Sequence, residues 1–506
     1  MSERAATNCH NCRRRRVKCD RLLPQCQKCS DAGLECMGYG RLILWNRGVA
    51  SRGKMMGKTF DEAPVGGMNG VRAMEMHSAT SQAMASANKT QEPFQSAWEL
   101  NFSLVDPLLQ DLDHTSRRYI SHFASHVAQD MVIYDLPEQN TFHSLLKYIG
   151  SYPMLRNMVI ATSAYLLSNR FRPDTRPPTL YNDALTAKHR AIGMLRPALQ
   201  NIETMDVNIV LASITLFILF ELIDSGKNTW KIHVEGAKML LLHYNSQDIY
   251  ESVSTPLGNG AVNSGLISEC IVFDIIGSTL SGTRSKSLDY ESRGLNPRPF
   301  VEFAEMNNCF SFPAKLLELI LDTSRLADRD RTCNANVEIE ATALMESARS
   351  FNPLIWAARL RSQSPYNDIE QRVLVASALK AAVRLFIWRS LFSDIPNGLS
   401  TASRHALLSE IIHHLAQIDT RSPLFKATAW PCFIAGAETD DAGEQSWVVD
   451  RLRCYYNLMP WNYIISMIEV LGFIWSLKTQ SSAENPQIDL NWLQAIKERG
   501  IDHFVA

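Results

Sequence analysis

The sequence predicts a small metal-stapled head of two short helices, then a linker, then a large all-α body. Three observations predict it. Six cysteines crowd into the first 36 residues, residues 59–105 lack hydrophobic periodicity, and from about residue 106 apolar residues recur at helical spacing. At 506 residues the chain is long enough for two or three units and a sizeable core.

The head rests on Cys9, Cys12, Cys19, Cys26, Cys29 and Cys36, spaced C-x2-C-x6-C, then six residues, then C-x2-C-x6-C again. Thiolates are soft anionic ligands, and four around a tetrahedral zinc make a closed structural site. Six thiolates serve two zinc ions only if two of them bridge, which leaves two terminal ligands per metal and no open position for water. Such a centre holds structure and does not hydrolyse. An even cysteine count also raises a disulfide framework. The start, MSERAATNCH, has no apolar signal core, and Cys270, Cys309, Cys333, Cys432 and Cys454 are scattered and odd in number, as expected of reduced intracellular thiols.

Between the second and third cysteines runs Arg13-Arg14-Arg15-Arg16-Val17-Lys18. Residues 1–60 hold 13 Lys or Arg against 4 Asp or Glu, a formal +9; the whole chain is −1, so residues 61–506 carry −10. A basic cluster draws phosphate backbones by counterion release, and arginine can fork onto guanine O6 and N7. A solvated charged face or a nuclear import signal is the plainer reading. Placement inside a metal-bound loop, which would fix the run's orientation, favours nucleic acid.

These residues resemble the fungal binuclear zinc cluster transcription factors, whose motif is C-x2-C-x6-C-x(5–12)-C-x2-C-x(6–8)-C, and all six ligand positions match. The resemblance implies two Zn2+ ions, with Cys9 and Cys26 as bridging thiolates and Pro24 turning the chain between the halves. It implies major-groove contact by Arg15 and Arg16 with a CGG-type triplet in double-stranded DNA, one triplet per module. Lys18 and Asp20 flank Cys19 as the family prefers. The segment Gly38-Tyr39-Gly40-Arg41-Leu42-Ile43-Leu44-Trp45, followed by Ala50-Ser51-Arg52-Gly53-Lys54, resembles a subgroup of arginine-metabolism, amine-catabolism and drug-sensitivity regulators. Arg41, Arg47, Arg52, Lys54 and Lys58 then read as phosphate contacts of a basic extension, or as a flexible basic linker. Gly48-x4-Gly53-Lys54 imitates a phosphate-binding loop, but Met55 stands where Ser or Thr should meet magnesium.

Residues 59–105, rich in Met, Ser, Ala, Gln and Gly, read as a linker without a sustained heptad. Many family members dimerise through a coiled coil just there, so homodimer and heterodimer stay open. The body, 106–480, reads as an array of antiparallel helix pairs. Tyr119, Phe123, Ala124 and Val127 keep helical spacing, and Val159–Leu167, Ala314–Leu326, Val373–Leu391, Ala406–Ile418 and Pro460–Leu477 are further helical stretches. Val207–Ile223 is almost continuously apolar, but its 17 residues include Glu221, so a buried central helix is expected and no membrane partner. Trp230-x2-His233-x2-Gly236-Ala237, with Leu240 and Leu241, and Trp430-Pro431-Cys432-Phe433-Ile434-Ala435-Gly436-Ala437-Glu438 resemble the family's regulatory domain; Cys432 and Ala437 depart from its usual pattern. Physically they read as packing residues, with Trp430 and Pro431 opening a buried helix and both glycines permitting close helix approach. Glu438-Thr439-Asp440-Asp441 reads as a solvated loop.

No catalytic constellation is apparent, so the chain is not expected to be an enzyme. His122 and His126 have metal-ligand spacing without a third ligand and read as surface or core histidines. Gly277-Ser278-Thr279-Leu280-Ser281-Gly282 lacks a strand–Ser–helix elbow, and the adjacent His413 and His414 fall on different helix faces. In the tail, 481–506, Ile488-Asp489-Leu490-Asn491-Trp492-Leu493 could dock into a coactivator groove or pack as a final helix on the body.

The sequence is thus identified as a nuclear, sequence-specific DNA-binding transcription regulator. Its parts are a small zinc-stabilised two-helix DNA-binding head with basic extension (1–58), a linker and a large all-α helical regulatory domain. Its expected sites are six cysteine ligands and DNA contacts from Arg13, Arg14, Arg15, Arg16, Lys18, Arg41, Arg47, Arg52 and Lys54. Partners would include the transcription machinery or a coactivator. The alternative is a zinc-folded basic head binding RNA or protein, with the body as an interaction scaffold.

Overall fold

In the computed structural model the chain divides into two units, residues 1–99 and 100–506. The described residues are 8–9, 12, 15–22, 26–32, 36, 109–136, 139–172, 174–227, 229–243, 263–280, 290, 295–328, 335–392, 400–484 and 490–505. The expected linker, 59–105, lies outside them. The head contributes one short helix, α1 (Gln27–Ser30), and Cys12 is helical as well.

The body is all helix, and among its described residues no strand forms; a single antiparallel bridge joins Lys227 and His503. α2 (His114–His122) starts where the Asp113 carboxylate accepts the Ser116 N–H at 2.9 Å, satisfying one orphan amide of the first turn. It continues through a π-helical turn, Phe123–Val127, into Ala128–Asp130. The extra residue of that turn shifts the helix phase, so Val127 and Ala128 both face the core while Ala124 is only half-buried. α3 (Thr141–Leu145), α4 (Pro153–Asn169) and α5 (Pro178–Gln200) follow, the last two with proline in the first turn and packed along one another.

α6 (Val207–Asp224), capped by Asp206, is buried on every side and packs between α4 and α7 (Trp230–His243). Its length and composition would suit a membrane span, but it is the body's central helix, and Glu221 inside it is neutralised by local partners. Lys188 Nζ lies 2.6 Å from Glu221 Oε1, Thr229 Oγ1 donates at 2.5 Å, and His233 Nε2 is 3.6 Å away. Burial would raise this carboxyl, but His233 and Lys188 pull it down to about 2.

α8 (Ser264–Gly277) is equally buried. It ends under Trp230, where a Cβ on Gly277 would lie 2.1 Å from the indole Cη2. The tryptophan of the first regulatory motif thus packs directly on bare backbone. His233, from the same motif, stacks on Phe217 with ring centroids 5.0 Å apart.

The remaining helices are α9 (Arg298–Asn307), α10 (Ala314–Ala327), α11 (Ala335–Ser350), α12 (Pro353–Leu360), α13 (Ile369–Leu391), α14 (Thr401–Ala416), α15 (Ala429–Glu438), α16 (Ala442–Leu458), α17 (Tyr463–Glu484) and α18 (Trp492–Glu498). α13 is the hub, touching α10, α11, α12, α14 and α15. Trp430 and Pro431 do open α15, with the Trp430 ring between those of Phe312 and Phe386. At Gly436 a Cβ would meet Val448 Cγ1 at 2.8 Å and Leu471 at 3.1 Å, so glycine is what lets α15, α16 and α17 converge.

One expectation needs correction. The segment from Glu438 is not wholly a solvated loop: the Glu438 side chain is almost wholly out of water and takes a bidentate bond from Arg389, whose side chain is only 1% exposed, with Nε at 2.9 Å and Nη2 at 2.5 Å. Thr439 is buried too, and only Asp440 and Asp441 face water. In the tail it is the final-helix reading that the structure shows, with Trp492 and Leu493 buried in the body's own core. Trp492 Nε1 donates to Glu438 Oε1 at 2.7 Å, and the Arg389 guanidinium reaches the Leu490 carbonyl at 3.2 Å.

Candidate metal centre and nucleic-acid interface

The head has no apolar core among its described residues. What clusters instead is sulfur: Cys9, Cys12, Cys19, Cys26 and Cys29 are buried against one another, with Cys36 half-buried beside them. The two halves repeat one local device. Cys12 N–H points at Cys9 Sγ at 3.4 Å, and Cys29 N–H points at Cys26 Sγ at 3.3 Å. In each C-x2-C step the first sulfur therefore sits at the start of a turn and receives its orphan amide. Cys9 N–H approaches Cys19 Sγ at 3.5 Å. Asp20 ties the halves together, its Oδ2 accepting the Gln27 N–H at the start of α1 at 2.9 Å.

The six sulfurs form two groups of four, Cys9/Cys12/Cys19/Cys26 and Cys9/Cys26/Cys29/Cys36, each within 4.8 Å, and the two groups share Cys9 and Cys26. A tetrahedron with zinc–sulfur bonds of about 2.3 Å has sulfur–sulfur edges of about 3.8 Å. The observed edges are 3.5 Å for Cys9–Cys26, 3.7 Å for Cys9–Cys29 and 3.7 Å for Cys12–Cys26. All three are far too long for disulfide bonds of about 2.05 Å. Donor chemistry and spacing fit two tetrahedral zinc ions sharing one edge. Burial pushes the Cys9, Cys12, Cys26 and Cys29 thiols up. Cys19 is the exception: burial acts the same way, but bonds from the backbone amides of Cys9 and Arg21 outweigh it and bring the thiol to about 7.

Of the expected DNA contacts, the structure describes Arg15, Arg16 and Lys18, all exposed. Val17 N–H closes onto the Cys12 carbonyl at 3.0 Å, and Arg16, just before it, has φ 54°. This is the helix-ending loop that favours glycine at the left-handed position. Here an arginine occupies it. Arg13, Arg14, Arg41, Arg47, Arg52, Lys54 and Lys58 lie outside the described residues, as do Pro24 and the Gly48–Lys54 stretch. The bridging role of Asp20 has no signal in the spacing alone, and neither does the Arg16 backbone.

Among its described residues the body offers no rival centre. His122 and His126 stack at 4.5 Å, with His122 Nδ1 2.9 Å from Ser163 Oγ and His126 Nδ1 2.8 Å from Ser125 Oγ. Burial, and then its neighbour His126, pushes His122 down to about 3. Among the described residues, the cysteine groups are the only clusters of three or more His, Cys, Asp or Glu with metal-ligand proximity. Ser278 and Thr279 spend their hydroxyls on the carbonyls of Ile275 and Ile276, at 2.6 and 2.7 Å. His413 is exposed and His414 half-buried.

Residues 7–45 match the fungal Zn(2)-Cys(6) binuclear cluster domain, and residues 118–506 match the fungal specific transcription factor domain. The chain is 28% identical to the acriflavine sensitivity control protein acr-2 of Neurospora crassa, over 97% of this chain and 95% of that one. It is 23% identical to a phomenoic acid biosynthesis cluster-specific transcriptional regulator of Leptosphaeria maculans, over 85% of this chain and 78% of that protein. No solved structure matches.

Proposed function

Because the chain belongs to the fungal Zn(2)-Cys(6) transcription factor family, a family of regulators and not of enzymes, we propose that it is a zinc-dependent reader of CGG-type triplets acting in the nucleus on RNA polymerase II genes. Cys9, Cys12, Cys19, Cys26, Cys29 and Cys36 hold two Zn2+ ions, with Cys9 and Cys26 bridging. The metal supplies folding energy that so small a head cannot otherwise gather. Arg15 and Arg16 read base edges, while Arg13, Arg14, Lys18, Arg41, Arg47, Arg52 and Lys54 position the head on phosphates. Residues 1–58 form the reading head with its extension, 59–105 the linker and 106–480 the regulatory body. The target genes are metabolic, biosynthetic or detoxification genes, in keeping with the names of both relatives.

One observation carries this reading. The two sulfur groups share Cys9 and Cys26, and the exposed arginines sit on the loop between two ligands of one group. The test is gel-shift binding of the full chain to single and paired CGG duplexes, with zinc and after chelation, against scrambled duplex and RNA competitors at fixed salt. Zinc-dependent preference for CGG is the expected result. Equal binding to scrambled duplex or RNA would instead favour a basic anchor on an interaction scaffold.

A further inference from the structure

Among the described residues serine precedes proline twice, at Ser364-Pro365 and at Ser422-Pro423. A serine followed by proline suits a proline-directed kinase. The segment is drawn out in extended form over the kinase, and proline holds that form and leaves no backbone N–H without a partner. The two serines differ in what drawing out would disturb. Ser422 Oγ accepts the Leu424 N–H at 3.3 Å and opens a short 3-10 turn whose Leu424 and Phe425 are buried. Pulling that segment away would lift both side chains out of the core.

Ser364 stands in the connection between α12 and α13. Residues 361–363 and 365–367 are all exposed, and Ser364 itself is half-buried. Few bonds hold it. Its N–H and that of Gln363 close on the Leu360 carbonyl at 3.2 and 3.0 Å, and its Oγ accepts the Tyr366 N–H at 3.2 Å. A phosphate here would also meet a counter-charge. The turn on the Leu360 carbonyl makes Arg361 and Ser364 neighbours three residues apart. Arg361 is exposed and has no ion pair among the described residues. Arg359 is held by buried Glu305, and Asp368, with Oδ2 3.2 Å from Arg372 Nε, is engaged as well. Neither therefore competes for Arg361.

We propose that Ser364 is the phosphoacceptor of a proline-directed serine kinase and that Arg361 holds the phosphate. Ser364 Oγ attacks the γ-phosphorus of magnesium-bound ATP. The new O–P bond forms as the bond to the β,γ-bridging oxygen breaks, ADP leaves, and the hydroxyl proton passes to the kinase's catalytic aspartate. The product carries close to two negative charges beside one positive one. Ser364 Oγ also fixes the turn to Tyr366, whose ring lies 5.3 Å from that of Tyr134. The modification therefore acts on the contact that joins this connection to the segment after α2. This inference does not rest on the DNA reading.

The test is incubation of the zinc-loaded full chain with magnesium, ATP and a purified mitogen-activated protein kinase, followed by mapping of phosphate by mass spectrometry. A peptide of residues 358–370 is treated in parallel. Phosphate should appear on Ser364 in both, vanish in Ser364→Ala and form at least about tenfold more slowly in Pro365→Ala. Ser422→Ala should leave it unchanged. Unchanged melting curves confirm that the variants fold. In the phosphorylated chain, phosphorus NMR should find the second ionisation of the phosphate below its ordinary value of about 6, and Arg361→Gln should return it there. Absence of phosphate from Ser364 in the folded chain, whether or not the peptide accepts it, would overturn the site. An ionisation indifferent to Arg361→Gln would overturn the role given to Arg361.

Discussion

Replacing Glu438 with alanine should be among the costliest single changes in the body. The carboxylate holds Arg389 through two bonds and Trp492 through a third, and both charged side chains are almost wholly out of water. Burial alone would raise this carboxyl; the Arg389 guanidinium keeps it lowered. Deleting it strands a buried guanidinium that keeps the Leu490 carbonyl as a neutral partner, which costs about 3–5 kcal/mol. Unfolding entropy of about 2.1 cal/mol/K per residue over roughly 400 residues is about 0.8 kcal/mol/K, so the midpoint should fall by about 4–6 °C. Calorimetry of the full chain is the assay. The double change Arg389→Met with Glu438→Leu removes both charges together and should cost well under the sum of the two single alanine changes. A shift below about 1 °C for Glu438→Ala, or a double variant that costs the full sum, would refute the claim that this pair is a coupled, desolvated unit.

Other outcomes can be checked alongside. Arg16→Ala should lose roughly 1–3 kcal/mol of affinity and relax specificity at one base, whereas Lys58→Ala should weaken all sequences alike and flatten the salt slope, both read by fluorescence titration. Arg16→Gly should lose the same base contact yet stabilise the zinc-loaded head by roughly 1 kcal/mol, since glycine accepts φ 54° without strain; a destabilised head would contradict the geometry. Glu269 is raised from 4.5 to about 8 by burial, with the Asn308 amide pulling the other way. Its contribution is therefore present in full below the unfolded value and is lost as pH rises toward 8. Glu269→Gln should raise the melting temperature at pH 8 more than at pH 5, and an equal shift at both would sink this assignment. Gly277→Ala forces a methyl into the Trp230 ring and should cost roughly 1–3 kcal/mol by chemical denaturation.

The head was legible because its information is spacing. Six cysteines at repeated intervals specify a donor set, and the folded head gathers those sulfurs into two groups with two members in common. Amphipathic helices such as 314–327 and 401–416 were legible from their period. What stayed hidden had no period to show. α8 reads SGLISECIVFDIIG, and a helix buried all round carries no stripe to separate it from a strand. α5 does carry a helical period, Leu180, Ala184, Ala187, Ala191, Leu195 and Ala198, but four of these six buried positions are alanine, so its apolar stripe is faint. Glu438 looked solvated because its neighbours are acidic, yet its partners Arg389 and Trp492 lie 49 and 54 residues away, beyond the reach of any local pattern. The π-helical turn at Phe123–Val127 breaks the 3.6 spacing that Tyr119, Phe123, Ala124 and Val127 suggest.

The sharing of Cys9 and Cys26 between the two sulfur groups carries a consequence for metal loading. A first zinc ion gathered by one group would hold these two sulfurs where the second group needs them, so half of the next shell would already be organised. Uptake should then be cooperative and the half-loaded head scarce. The six positions are also unequal before mutation. Loss of Cys36 would open one shell and leave a complete group of four, whereas loss of Cys9 or Cys26 would break both shells at once. Zinc stoichiometry across a series of single cysteine-to-serine variants would then fall into two classes, with those two residues alone in the more severe one.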